Sequence, residues 1–401
     1  MHNIQIAEKI LYPLAEQIAP DGTSPIALIH QWLHAISNNT NLFSENKKID
    51  KLKIKQKLLR SGVEPSSLFR KTNHAYTPNN FTFIDLFAGI GGMHLGFQSA
   101  GGVCVFASEF ERNAQNTYLD NHQQLPFGDI TKINENDIPD HDVLIAGFPC
   151  QPFSHAGLKL GIDDTRGTLF HDIARILVAK KPKFALLENV KGLVSHDRGY
   201  TLQVILKTLT QIGYSCIIPK EIIEHGNKKE IQELAKKMIL KSTDFGVPQN
   251  RQRIYIVLWR DDLNIDFEYP KATNIPTRVG NILEKTPDSK LTISDKLWEG
   301  HQRRKEQNKA NGKGFGYGLF DADSPYTNTI SARYYKDGSE ILIAQSGKNP
   351  RKLSPAEAAR LQGFPKHFIL NKSNTQAYKQ FGNSVSVPVI SALANQIANY
   401  L

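Results

Sequence analysis

The chain has 401 residues, long enough for two or three compact units, and with 40% hydrophobic and 22% charged residues its composition is that of a globular protein, not a disordered or fibrous one. No apolar run approaches the roughly 18 residues that span a bilayer, and no export pattern follows Met1, so a cytoplasmic protein without a membrane segment is expected. Lys and Arg exceed Asp and Glu by ten (49 − 39), which points to a polyanionic partner.

The basic surplus gathers at Lys47-Lys48, Lys51, Lys53, Lys55, Lys57 and Arg60, and again at Arg303-Arg304-Lys305, Lys309 and Lys313. For the first cluster a solvated helix face is the plain alternative. Three scattered cysteines, Cys104, Cys150 and Cys216, form neither a disulfide framework nor a zinc site, so a reducing compartment and no metal are expected.

In chain order, residues 1–78 read as a helical extension. Ala27, Leu28, Trp32, Leu33 and Ile36 have helical spacing, a basic helix is expected over Lys47 to Leu59, and the polar run Thr72 to Asn80 reads as a linker. Residues 79–260 then alternate between strands and helices. Strands are expected at Phe81–Phe87, Val103–Ala107, Asp142–Ala146, Phe184–Leu187 and Ile254–Leu258. Helices are expected at Gly91–Gln98, Glu111–Leu119, Leu169–Ala179 and Thr201–Gln211. Repeated βα units predict an α/β fold with a doubly wound, mostly parallel sheet, whose ligands bind beyond the carboxyl ends of the strands. The charged stretch His225 to Lys241 reads as helical and receives no role. Residues 261–350, rich in Gly, Asn, Lys, Tyr and Ser, predict a smaller loop-rich domain. Over 351–401 a helix starts at Ser354-Pro355-Ala356-Glu357, with Ser354 as cap, and a last helix, Pro388 to Tyr400, returns to the first domain.

Chemistry concentrates at the predicted strand ends. Phe83-Ile84-Asp85-Leu86-Phe87-Ala88-Gly89-Ile90-Gly91-Gly92 is a strand, a glycine turn and a helix start, which lets backbone approach a ligand. Glu109 ends the next strand, where a carboxylate can accept bonds from ribose hydroxyls. Asp129 follows near a further expected strand end; read singly it is a turn aspartate, but it stands third in a series with Asp85 and Glu109. The spacing is neither the dinucleotide fingerprint nor a P-loop, which disfavours NAD and ATP. Cys150, in Gly147-Phe148-Pro149-Cys150-Gln151-Pro152-Phe153-Ser154, is a thiol at the sheet edge, reactive only as thiolate. Glu188 emerges at the same edge as a proton donor, and the alternation of Arg251 and Arg253 points both to one strand face, able to hold an anionic or carbonyl oxygen. Read singly, Glu188 is a structural acid and each arginine a salt-bridge partner.

These runs resemble the DNA cytosine-5 methyltransferases. The likeness covers residues 81–401 and rests on ordered motifs: Asp85 to Gly92, Pro149-Cys150-Gln151, Arg166-Gly167-Thr168-Leu169-Phe170, Glu188-Asn189-Val190, Gln249-x-Arg251-x-Arg253, Arg360 to Pro365 and Gly382-Asn383-Ser384-Val385. The resemblance implies S-adenosyl-L-methionine as cofactor, with Phe87, Ala88, Gly89 and Gly91 around it, Glu109 and Phe110 at the ribose end, Asp129 and Ile130 at the adenine, and Pro149, Leu169, Asn383 and Val385 lining the site. It implies Cys150 as the nucleophile that adds to C6 of cytosine, Glu188 as the acid at N3, and Arg251 and Arg253 near the base oxygen and thiol. The base must leave the duplex stack, with the loop Gln151 to Arg166 closing behind it.

By the same resemblance, the 261–350 region is a target recognition domain, most similar to that of bacterial enzymes acting on short C/G-rich sites beginning CC, including CCWGG and CCGG. Thr329, Arg333, Tyr334, Tyr335 and Lys336, together with Gln151, Ser154 and Arg166, are the expected DNA contacts; the bland reading of Arg333 to Lys336 is that they support the fold. The implied protein is a monomer on double-stranded DNA in a bacterial cytoplasm, either the protective partner of a restriction enzyme or a solitary bacterial or phage enzyme. An RNA-directed (tRNA) cytosine-5 enzyme is the alternative within the same chemistry. A catalytically silent DNA-binding module would have lost Cys150, Glu188 or an arginine, and all are present.

Overall fold

A computed structural model describes residues 2–44, 49–65, 68–69, 81–149, 168–314 and 316–401. Its chain divides into two compact units, the first formed by Met1–Leu240, Arg253–Pro270 and Ser391–Leu401, the second by Lys241–Gln252 and Lys271–Ile390.

The first unit opens with helices α1 (His2–Glu16), α2 (Pro25–Asn38) and α3 (Lys51–Arg60). Ala7, Leu11 and Ala15, four residues apart, form a fully buried stripe on α1, a helix the sequence reading did not anticipate. On α3 only Ile54 and Leu58 are buried; Lys53, Lys55, Lys57 and Arg60 are exposed. Alternation follows: β1 (Thr82–Leu86), α4 (Gly92–Ser99), β2 (Val103–Ser108), α5 (Arg112–His122), β3 (Val143–Gly147), α6 (Leu169–Lys180), β4 (Phe184–Val190), α7 (Tyr200–Gln211), β5 (Tyr214–Ser215), α8 (Lys220–His225), α9 (Lys228–Ala235), β6 (Ile239–Lys241) and β7 (Gln252–Arg260). The sheet runs β2-β1-β3-β4-β7-β5, with β6 pairing β7. β2, β1, β3 and β4 are parallel, whereas β7 is antiparallel to both β4 and β5. The central strands are apolar runs buried on both faces, as a sheet covered by helices on two sides requires.

The strand expected before Asp129 does not form. Pro126 lacks an N–H and Gly128 follows at once, so only Phe127 bridges to the sheet: its N–H donates to Ala107 O at 2.8 Å and its carbonyl accepts from Glu109 N at 2.9 Å. A short 3₁₀ turn over Ile130–Lys132 comes next.

The second unit holds α10 (Asp295–Ala310), a small sheet of β8 (Leu319–Phe320), β9 (Leu342–Gln345) and β10 (Lys348–Lys352), then α11 (Pro355–Leu361) and α12 (Asn374–Asn383); α13 (Val387–Ala398) carries the chain back to the first unit. The loop-rich expectation missed α10, on which His301 alone is buried, so no apolar stripe betrays it. The cap expected at Ser354 is present as a reciprocal box with Glu357.

Glu357 is fully buried, pairs with both Arg351 amino groups at 2.7 and 2.8 Å, and accepts from the backbone N–H of Ser354 and Glu284. Glu357→Ala would strand a buried guanidinium and two further donors, the backbone N–H groups of Ser354 and Glu284. Urea unfolding is therefore expected to show a loss of about 3–5 kcal/mol; a change below about 1 kcal/mol would mean the pair is not buried in solution.

Candidate active site

The carboxyl ends of β1 and β2 hold the glycine turn. Phe87, Gly89 and Gly91 all take the left-handed conformation, with φ of 55°, 56° and 82°. A phenylalanine there stores strain, the kind of outlier found at binding sites. Ala88 N donates to Ser108 O at 2.9 Å, and Gly89 N donates to Glu109 Oε2 at 2.7 Å, so the turn is tied to the end of β2. Burial raises the Glu109 carboxyl above its usual range, partly offset by the N–H groups of Glu111 and Gly89. Phe110 beside it is 80% exposed, an aromatic face with little cover among the described residues.

Asp85 is 1% exposed, and neither carboxylate oxygen has a hydrogen-bond partner among the described residues. Burial, followed by the nearby Glu109 charge, holds its carboxyl well above the usual carboxylate range. Such an acid is suited to a cationic or N–H-bearing ligand. Asp129 caps the turn it starts, with Oδ1 accepting from Thr131 N at 3.1 Å and Thr131 Oγ1 at 2.8 Å, so its turn-aspartate character is real whatever else it binds. Ile130 is buried, and its carbonyl accepts from Arg175 at 2.7 Å.

At the ends of β3 and β4, Gly147 lies opposite Glu188 in register. A Cβ on Gly147 would sit 3.7 Å from Glu188 Oε2. Arg253, on β7 opposite Val190, pairs its Nε with Glu188 Oε1 at 3.3 Å. Asn189, 3% exposed, donates from Nδ2 to Phe148 O at 2.9 Å while its Oδ1 accepts from Val190 N at 2.8 Å. That clamp holds the backbone two residues before Cys150, a role the sequence reading did not assign to Asn189. Cys150, Gln151, Ser154 and Arg166 lie outside the described residues; Pro149 is exposed and Leu169 is the first residue of α6. The other two cysteines are buried: burial pushes the Cys216 thiol up to about 12 and the Cys104 thiol higher still, which disfavours either as a thiolate nucleophile.

Arg251 precedes β7 and belongs to the second unit. It is buried, with its guanidinium donating to the carbonyls of Ser384 and Ile330. The motifs of that unit knit together around Gln249, which is fully buried: its Nε2 donates to Leu361 O at 2.9 Å and Gln362 Oε1 at 3.1 Å, and its Oε1 accepts from Ile330 N at 3.0 Å. Gln362 in turn donates to Phe381 O at 2.7 Å, and Gly382 lies so close to Ser331 that a Cβ would collide with its backbone. The sequence reading named these glutamines within its motifs but gave them no role, because a buried amide leaves no periodic signal. In the same unit Asn383 is exposed and Val385 buried.

Of the expected DNA contacts in this unit, Arg333 and Lys336 are exposed, and Tyr335 is partly exposed beneath Lys379. Thr329 Oγ1 donates to Asn250 O at 2.7 Å. Tyr334 is corrected to a core residue: it is fully buried, its hydroxyl donates to Ile341 O at 2.7 Å and accepts from Leu353 N at 2.8 Å, and its ring packs on Tyr378. Among the described residues no group of three His, Cys, Asp or Glu could hold a metal, and no helix is long and apolar enough to cross a membrane.

A family model described as C-5 cytosine-specific DNA methylase matches residues 81–399. The chain belongs to this family. It is a DNA cytosine-5 methyltransferase. Relatives include the Type II methyltransferase M.NlaX of Neisseria lactamica, 59% identical over 320 residues, which are 79% of this chain and 96% of that protein. The Type II methyltransferase M1.ScrFI of Lactococcus lactis subsp. cremoris is 57% identical over 350 residues, 85% of either chain. A solved S. pombe Dnmt2 methyltransferase shares the fold, with a TM-score of 0.60 at 22% identity over 78% of this chain and 97% of that one. The methylase thus has the Rossmann-like α/β fold of its family, and helices α1–α3 lie ahead of the matched region.

Proposed function

We propose that this methylase transfers a methyl group from S-adenosyl-L-methionine to C5 of one cytosine in a short double-stranded site, acting as the modification enzyme of a restriction-modification system. The observation that carries the reading is the pairing of Glu188 with Arg253 beside Gly147, on the strand that runs directly into Cys150. The cofactor fits the residues present. Asp85 offers a buried carboxyl group with no hydrogen-bond partner among the described residues, Glu109 a second acceptor and Phe110 an exposed aromatic face, while Gly92 starts α4 at the turn. Phe87, Ala88, Gly89, Asp129 and Ile130 complete this end of the site, and Pro149, Leu169, Asn383 and Val385 are further proposed cofactor residues. When bound, the cofactor supplies an electrophilic methyl on a positively charged sulfur.

The rest is the work of this chain. A target cytosine swung out of the helix presents C6 to the Cys150 thiolate, which adds there. Glu188 gives a proton to N3, and the addition makes C5 electron-rich. Arg253 orients the Glu188 carboxyl, and Arg251, whose guanidinium donates to the Ser384 and Ile330 carbonyls, is proposed to act near the base oxygen and the thiol. After methylation, loss of the C5 proton to solvent expels the Cys150 thiolate, and N3 returns its proton to Glu188.

Residues 261–350 carry target recognition in this reading, with Gln151, Ser154, Arg166, Thr329, Arg333, Tyr335 and Lys336 toward the DNA and a C/G-rich site beginning CC. The RNA alternative has less behind it, because the relatives above are Type II methyltransferases. Cys150→Ala is expected to abolish methyl transfer while specific duplex binding persists; normal turnover by that variant would refute the assignment. Bisulfite sequencing of host DNA expressing the intact chain reads the site directly, and unconverted cytosines outside CC contexts would overturn the proposed target.

A further inference from the structure

We propose that the amino-terminal helices are part of the cofactor site: Thr23, His30 and His34 are positioning residues that hold the segment 123–130, and with it Asp129, Ile130 and the end of β2 that carries Glu109. The inference rests on the cofactor reading above and adds to it the side chains that shape its adenosine end.

Segment 123–130 has little regular structure of its own, since it makes one bridge to the sheet at Phe127. Three of its other backbone groups are met by side chains of α2 and the turn before it. His34 Nε2 donates to Gln123 O at 2.9 Å, His30 Nδ1 accepts from Leu125 N at 3.1 Å, and Thr23 Oγ1 accepts from Gly128 N at 3.3 Å. Because His30 Nδ1 is an acceptor, its Nε2 carries the proton and donates to Glu8 on α1 at 2.9 Å, which fixes ring and tautomer together. Gly128 lies so close to Gly22 that a Cβ would collide with the Gly22 carbonyl oxygen. Gln31 joins the same surface to the middle of β2 by donating to Val105 O at 3.2 Å. Apolar packing follows the polar anchors: the Phe43 ring lies 4.6 Å from Phe127 and 5.9 Å from Phe106. On the other side Arg175 of α6 takes the carbonyls of Ile130 and Ile133 at 2.7 and 2.9 Å. Phe127 O accepts from Glu109 N, so a displacement of the segment reaches Glu109 as well as Asp129.

The contacts to Leu125 N and Gly128 N are buried, and an unmet backbone N–H there costs more than the bond it replaces. The test uses the full-length chain. Thr23→Val with His34→Ala is expected to raise both KM for S-adenosyl-L-methionine and Kd for S-adenosyl-L-homocysteine about tenfold, with much smaller changes in kcat at saturating cofactor and in KM for duplex DNA. Thr23→Ser, which restores the acceptor, should return the single Thr23→Val variant toward the wild-type affinity. If the double variant does not fold, Thr23→Val alone carries the test, since it removes one acceptor without opening a cavity. Unchanged cofactor affinity in a folded variant, or a loss confined to KM for DNA, would overturn the inference. Glu109→Ala measured alongside separates the two levels. If it weakens cofactor binding while Thr23→Val does not, the positioning role falls and the cofactor reading stands; if Glu109→Ala leaves affinity unchanged, both fall.

Discussion

Gly91→Ala is expected to abolish measurable cofactor binding and to destabilise the first unit by about 2–5 kcal/mol, the sum of left-handed strain and overpacking. Gly91 has φ of 82°, and a Cβ there would fall 2.7 Å from His122 Cδ2 and closer still to its Nε2. His122 has nowhere to withdraw. Its ring lies 4.0 Å from His94 and 4.4 Å from Tyr118, and His94 Nδ1 is bonded to the Tyr118 hydroxyl at 2.6 Å. Burial lowers His122 to about 4 and His94 well below its ordinary value, so the stacked rings are neutral near pH 7 and pack without repulsion. The strain must then pass into the turn, moving Gly89 N away from Glu109 and the start of α4 away from the ligand. Calorimetric titration with S-adenosyl-L-homocysteine and urea unfolding of the same preparation check both parts. Wild-type affinity in the alanine variant would show that the turn does not approach the cofactor.

Glu188→Gln is expected to lower kcat by about 10²–10⁴ while leaving KM for cofactor and DNA within a few-fold, since general acid catalysis is worth about that much. Glutamine preserves the shape and the packing beside Gly147 but supplies no ionisable proton, and it turns the 3.3 Å ion pair with Arg253 into a weaker neutral contact. Single-turnover methyl transfer separates the chemical step from product release. A near-normal single-turnover rate would remove Glu188 from the chemistry and leave it as a structural acid at the end of β4.

Much of the first unit was legible in advance because a buried parallel sheet demands apolar runs: Phe83 to Leu86, Val143 to Ala146 and Phe184 to Leu187 could hardly be anything but core strands. The glycine turn was legible too, since three residues with positive φ in succession of loop positions call for glycine at two of them. α1 and α10 were not. α1 spreads its buried stripe over small residues such as Ala7 and Ala15, and α10 presents almost no stripe at all.

Residue types and their spacing therefore nominated the groups proposed to carry chemistry: the acids at the strand ends, the thiol after Pro149, and the arginines that alternate into β7. Only the folded chain decided what each of these leans on. Tyr334 looked like a surface contact in sequence and is a core hydroxyl bonded to Ile341 and Leu353; Asn189 and Gln249 stood in motifs without a role of their own and are amides that bond backbone far along the chain. The helices at the amino terminus looked separable and supply hydrogen bonds to a segment that cannot satisfy its own. The physical reason is common to all three. Periodicity reports burial along one element, whereas a polar side chain's role depends on which backbone group from a distant part of the chain needs a partner, and that is a property of the tertiary structure alone.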